Sequence, residues 1–494
     1  MVAAAVGVCA VAAEGATGAG PAASETGDLS RFTQQRLDWQ PCHEDTLDKA
    51  GAQCADVTVP LNYADPRGRS ITVAISRVAA ADPSHRRGIM LSNPGGPGGV
   101  GLAFTVNLNL GLPDYPWSQY DLIGMDPRGI GRSTPVDCKW PVGTYGQSAG
   151  VGLTGFEESV AAQADLAARC QAEAGDLLPY ITTRNTARDM DVIRAVLGED
   201  RINYFGLSYG TYLGSVFTQM FPERSDRIVL DSAVDPERWA IGTFADMGAA
   251  DEAVLDAWAD WTAARDSEYH LGATLSEVRA VVTNLIEQAA RHPIRIGTYD
   301  LDDHWLPTVV FDNLGPRSFE TLATMIRQLA DAAAGVPVQP GPNLEAELSH
   351  LLNATPTDEF DDAGAAVRCG DVSESRDPSS YWRAIETARA TQPIFGPLAN
   401  NISPCAFWLP PTEPPTAVHN SVPALILQAT GDPLTAYQQG VGLHRAMTAS
   451  RLLTLQDVIV HGVVTIPSTC VTQTVNAYLR NGTLPSTDLT CHAD

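Results

Sequence analysis

The sequence predicts an α/β fold, a mostly parallel sheet with a large, mainly helical cap inserted before its last strands. Three observations lead there. Short apolar runs end in loops rich in glycine, proline and aspartate, as buried parallel strands with ligand-bearing ends do. Stretches of helical periodicity separate these runs, as crossover connections require. Between about Glu237 and Val418 the strand signal stops, and apolar residues recur at helical spacing.

The elements follow in order. Residues 55–63 and 70–78 read as two strands around the turn signal Asp65-Pro66-Arg67-Gly68. Residues 88–92 form a short apolar run that opens into Asn93-Pro94-Gly95-Gly96-Pro97-Gly98-Gly99, and residues 120–125 open into Asp126-Pro127-Arg128-Gly129. Met190, Ile193, Val196 and Leu197 share one face of a helix, with Thr186 as its expected N-cap and Gly198 as its stop. The strand 202–205 turns through Gly206-Leu207-Ser208-Tyr209-Gly210 into a helix from about Tyr209 to Phe221. Residues 227–230, 422–428 and 451–455 complete the strands. Within the cap, 275–290 and 319–334 read as helices, with breaks at 335–342 and 410–415. The expected division is a leader over 1–29, a first core part over 30–236, a cap over 237–418 and a second core part over 419–494.

Composition narrows the function. The chain has 494 residues and a formal net charge of −26. Such a surface repels nucleic acid and anionic membranes and attracts cations such as a peptide amine. No nucleic-acid partner and no stable membrane insertion are therefore expected. Residues 2–13 are small and apolar and precede a stretch rich in Ala, Gly, Ser and Thr. This reads as the end of a signal peptide with Ala10-Val11-Ala12 as a cleavage site, although no Lys or Arg occurs before Arg31. A secreted protein is the expectation. Removing Cys9 with the leader leaves Cys42, Cys54, Cys138, Cys170, Cys369, Cys405, Cys470 and Cys491. An even set suits disulfides, and sequential pairing closes modest loops. No cysteine has C-x-x-C spacing beside histidines, so no metal is expected. The glycine loop lacks G-x-G-x-x-G spacing, so no dinucleotide cofactor is expected either.

The pentapeptide around Ser208 follows a strand and opens a helix, the setting of a nucleophile elbow. A serine hydroxyl needs a base, and the order Ser…Asp…His is the one this setting uses. His461, in Val458-Ile459-Val460-His461-Gly462, follows the last predicted strand; His444 and His419 are rivals. Asp432, in Thr430-Gly431-Asp432-Pro433, ends the strand before it, with Asp231 and Asp235 as rivals for the acid. The cap thus precedes the acid-bearing strand. Oxyanion donors are expected from the backbone of Tyr209 and of Gly96, or Gly95 in its place.

Together the loop 93–99, Asp126-Pro127-Arg128-Gly129-Ile130-Gly131-Arg132-Ser133, the Ser208 elbow and the stretch 422–491 resemble the secreted actinobacterial α/β-hydrolases related to tripeptidyl and prolyl aminopeptidases. The resemblance implies an α/β-hydrolase fold and a serine peptidase that removes short peptides or residues from free N-termini. It further implies a cap with acidic groups for the substrate amine, for which Asp371 and Glu223 are the candidates. Val460 stands where the family often has glycine before the base, and Ala436 where many members have proline. A secreted esterase or acyl-modifying hydrolase with the same triad is the alternative. A non-catalytic binding protein on the same scaffold is a third reading.

Overall fold

A computed structural model describes residues 28–111, 115–140, 146–353 and 359–494. The leader expected over 1–29 lies, except for its last two residues, outside the described residues.

Among the described residues twelve strands are defined: β1 Gln40–Pro41, β2 Gln53–Pro60, β3 Ser70–Val78, β4 Ile89–Asn93, β5 Asp121–Met125, β6 Ile202–Leu207, β7 Ser225–Asp231, β8 Ile294–Ile296, β9 Tyr299–Leu301, β10 Leu425–Ala429, β11 Arg451–Leu455 and β12 Leu489–Cys491. Among the described residues, ten of them form one sheet in the order β1-β2-β3-β5-β4-β6-β7-β10-β11-β12. The β1–β3 edge pairs antiparallel, and from β5 through β12 all pairing is parallel. The chain is thus an α/β-hydrolase fold. Its central strands are buried on both faces, which is why they read as unbroken apolar runs.

Each face of the sheet has its own core. Val57, Leu91, Ile123, Tyr204, Leu213 and Ile426 belong to one cluster, and Met90, Leu122, Phe205, Val229, Leu427 and Leu453 to the other. Adjacent strand residues split between the two, as a two-residue side-chain period demands.

Between β7 and β10 the chain leaves the sheet and builds helices, including Ile241–Ala263, Leu275–Arg291, Leu306–Asp312, Phe319–Ala333, Pro342–Asn353 and Glu359–Asp371. Val278, Val282, Leu285, Ile286 and Ala289 face inward from the second of these, and Leu322, Ile326 and Leu329 from the fourth. They meet Trp258 and Leu348 in a core separate from those of the sheet. The hairpin β8–β9 packs into the same cluster. No sequence signal marks that hairpin, because three-residue strands carry too little periodicity to register.

One helix start differs from expectation. Thr182, not Thr186, caps the helix Thr183–Val196, its Oγ1 accepting from Asn185 N–H at 3.2 Å. Thr186 lies one turn inside, and its hydroxyl donates to Thr182 O.

The cysteines pair sequentially: Cys42–Cys54, Cys138–Cys170, Cys369–Cys405 and Cys470–Cys491. Among the described residues no helix is long and apolar enough to cross a membrane.

Candidate active site

Ser208 lies where β6 ends and the helix Tyr209–Met220 begins, at φ 58° and ψ −126°. A non-glycine residue held there stores about 1–3 kcal/mol of strain. The surroundings hold the turn in place. Ser208 N–H donates to Asp231 O at 3.0 Å, and Thr211 Oγ1 donates to Ser208 O at 2.6 Å. The flanking glycines let strand and helix close on each other. A Cβ on Gly206 would lie 2.4 Å from Gly210 O, and one on Gly210 would lie 2.6 Å from Asn93 O. The two glycines of the motif are therefore a packing requirement.

Asp432 and His461 meet at the end of β10. The ring Nδ1–H donates to Asp432 Oδ1 at 2.9 Å and approaches Oδ2 at 3.1 Å. Asp432 is 1% exposed. It also accepts from Leu434 N–H, Thr435 N–H and Thr435 Oγ1–H at 2.9–3.0 Å. Burial pulls the imidazole pKa down, but the charge and hydrogen bond of Asp432, with Asp231 behind it, outweigh that and raise it. Among the described residues no hydrogen bond joins Ser208 to the ring. A looser serine–histidine contact is usual before substrate arrives.

The rivals have other partners. His444 Nδ1 bonds Ser450 Oγ at 2.7 Å, and its Nε2 lies 3.3 Å from Asp488. His419 precedes β10, at the opposite end of that strand from Asp432. Asp235 Oδ1 accepts from Glu237 N–H. Asp231 is fully buried, and burial pushes its carboxyl up to about 6. Its oxygens accept Val463 N–H at 2.8 Å and Val464 N–H at 3.0 Å, while Ser232 Oγ accepts Gly462 N–H at 2.7 Å. Asp231 and Ser232 thus tether the elbow to the loop bearing His461. That loop also touches both halves of the molecule. Ile459 packs against the cap cluster, Val460 against the sheet cluster, and Arg317 of the cap donates to Thr465 O.

The loop after β4 abuts the elbow: a Cβ on Gly95 would lie 2.8 Å from Ser208 Cβ and 3.3 Å from Tyr209 N. Gly95 N–H already donates to Asn93 Oδ1 at 2.9 Å. Gly96, which lines the cleft with Ser208 and Tyr209, is the glycine whose N–H has no partner among the described residues.

The cleft in front of Ser208 encloses about 1660 Å³ including its mouth. The glycine loop and elbow form one side, and Phe244, Met247, Phe311 and Asp312 of the cap form the other. The two residues expected to bind the substrate amine are not in it. Asp371 is buried and committed: it accepts Thr183 N–H and Oγ1–H and Trp239 Nε1–H, and burial raises it to about 7. Glu223 is exposed just before β7, at the end of the sheet away from the elbow. The acids that do reach the cleft are Asp312 and Asp361, with Glu347 beside the first. Enclosure in the cleft, then the charge of Glu347, pushes Asp312 up to about 8. These three come from separate cap helices, so no local spacing could have singled them out.

Comparison with known proteins agrees with this geometry. A family model described as alpha/beta hydrolase fold matches residues 88–291, and one described as TAP-like protein matches 392–491. The tripeptidyl aminopeptidase of Streptomyces lividans is 34% identical over 94% of this chain and 88% of its own. Serine protease Hip1 of Mycobacterium tuberculosis is 29% identical over 92% and 91%. Carboxylesterase B of the same species is 30% identical over 92% and 89%. With the elbow and the glycine loop lining one cleft and the aspartate–histidine pair held beside it through Leu434 and Thr435, the chain belongs to the tripeptidyl aminopeptidase family of α/β-hydrolases and is a serine peptidase.

Proposed function

We infer that the protein is a secreted exo-peptidase that releases short peptides, tripeptides foremost, from free N-termini through an acyl-enzyme on Ser208. The observation that carries this reading is the acidic cap wall facing Ser208, where Asp312, Asp361 and Glu347 offer a seat for a substrate ammonium. A terminal amine anchored there fixes how much chain reaches the nucleophile.

In this reading the chemistry is that of a serine triad. His461 Nε2 takes the proton of Ser208 Oγ as it attacks the carbonyl, while Asp432 holds the tautomer and stabilises the imidazolium. The N–H groups of Tyr209 and Gly96 receive the oxyanion. His461 then protonates the departing amine and later activates the water that frees the peptide. The paired cysteines support an oxidising destination, and the apolar residues 2–13 support export.

A peptidyl amide with a free amine, the same amide N-acetylated, and a short acyl ester test this directly. Cleavage of the first well above the second is expected. Ester cleavage with neither amide cut would establish the esterase reading, which the similarity to Carboxylesterase B keeps as the alternative.

A further inference from the structure

A second pocket opens off the Ser208 cleft, sharing Gly146, Phe244, Met247 and Phe311 with it. Its other walls include Leu398, Ile402 and Asp251. Ile241, Phe244, Met247 and Asp251 recur at three- and four-residue spacing along the helix Ile241–Ala263, so one face of it lines the pocket.

Asp251 is out of place there. It is 2% exposed, and its Oδ1 has no hydrogen-bond partner. Its neighbour Glu252 shows the contrast. Glu252 accepts Ile394 N–H at 2.8 Å and Phe395 N–H at 3.0 Å and pairs with Arg279. Buried carboxyl oxygens without donors are rare in native structures and call for an explanation.

We propose that this pocket is a specificity subsite for a basic substrate side chain, with the aliphatic stem of a lysine against Phe244, Met247 and Phe311 and its ammonium on Asp251. The proposal rests on the peptidase reading of the cleft and adds its side-chain preference. A carboxylate in an otherwise apolar pocket selects basic residues in trypsin-like proteases by the same physics. The surrounding charges favour a cation. Glu252 and Asp432 both act on Asp251, and Glu374 lines the pocket, accepting from Ser403 Oγ–H and Tyr381 OH. Arg368, which lines the neighbouring Ser208 cleft, lies over the Phe244 ring at 5.1 Å and acts on Glu374 rather than on Asp251. Burial first, then Glu252 and Asp432, push the Asp251 acid well above the ordinary carboxylate range. An entering ammonium opposes that push by stabilising the carboxylate as an ion pair. A purely apolar side chain would leave the carboxyl unpaired, and an acidic one would add a like charge.

The test compares free-amine tripeptidyl coumarin amides carrying lysine or norleucine, which lacks only the ammonium, at each of the three positions. A lysine-to-norleucine ratio in kcat/KM of about tenfold or more is expected at one position. Asp251→Asn and Asp251→Leu should bring that ratio to near one, with thermal melting and fluorophosphonate labelling confirming folded protein. A ratio near one at every position in the natural chain overturns the proposal, as does a ratio that survives both substitutions. If no amide is cut, the peptidase reading fails by itself. The ratio is then read on lysine and norleucine methyl esters, where a value near one, or one that survives both substitutions, overturns the subsite as well.

Discussion

Two pairs of acids near the cleft, one from the sheet and one from the cap, differ in their partners. On the sheet side, Asp231 and Asp432 are buried, and both oxygens of each receive hydrogen bonds. On the cap side, Asp251 Oδ1 and Glu347 Oε1 receive none. Carboxylates saturated by backbone donors position machinery and cannot also grip a ligand. Carboxylates left without donors near a cleft are the ones a ligand can satisfy. In the proposed function the sheet carries the chemistry, and the cap carries the choice of substrate.

Substitutions on the sheet side should give the largest effects, and on turnover. Ser208→Ala or His461→Ala should lower kcat by about 10⁴-fold or more, abolish fluorophosphonate labelling for the serine variant, and leave the melting temperature unchanged. Survival of labelling in Ser208→Ala would place the nucleophile elsewhere. Asp432→Asn should lower kcat by about 10³–10⁴-fold. Asp231→Asn, by contrast, should show mainly in thermal stability, because it weakens the tether of the His461 loop. A mirror-image result, with Asp231→Asn losing turnover at full stability, would exchange the two roles.

Cap-side substitutions should act on binding. Asp312→Asn is expected to raise KM for free-amine peptides by about tenfold, the size of one lost charge-assisted contact. KM for N-acetylated peptides should be unaffected. Equal effects on both would remove Asp312 from amine recognition. The smallest effect is in pH. His461 must be neutral to act, and its pKa is raised. The acidic limb of kcat/KM should therefore lie above about pH 6.5, the ordinary imidazole value. A limb at or below that value would mean that Asp432 does not stabilise the imidazolium.

The same division governs what the sequence could reveal. The elbow was legible because its determinants are local: two glycines, a strand before and a helix after. Asp432 and His461 were legible from their order after the last strands. The Gly-Asp-Pro turn already favours Asp432 over Asp231, and the hydrogen bonds add that the His461 ring donates to Asp432 while the backbone of Val463 and Val464 donates to Asp231. The two-residue β1 and three-residue β12 are defined by pairing at the sheet edges, not by any pattern of their own. Thr182 and Thr186 lie one turn apart with the same side chain, so composition could not select the cap. Asp371 shows the general difficulty. Nothing in its neighbourhood in the chain marks it as engaged, yet Thr183 and Trp239, distant in sequence, occupy it. The cap acids were illegible for the converse reason, since three helices must fold before they meet.

The loop bearing His461 joins the two walls through its side chains. Ile459 is seated in the cap and Val460 in the sheet core, with the base next in the chain. A branched residue at 460 makes that second seat a side-chain contact, which a glycine could not supply. The stretch of backbone that carries the imidazole is thus fastened on both sides, to the cap through Ile459 and to the sheet through Val460.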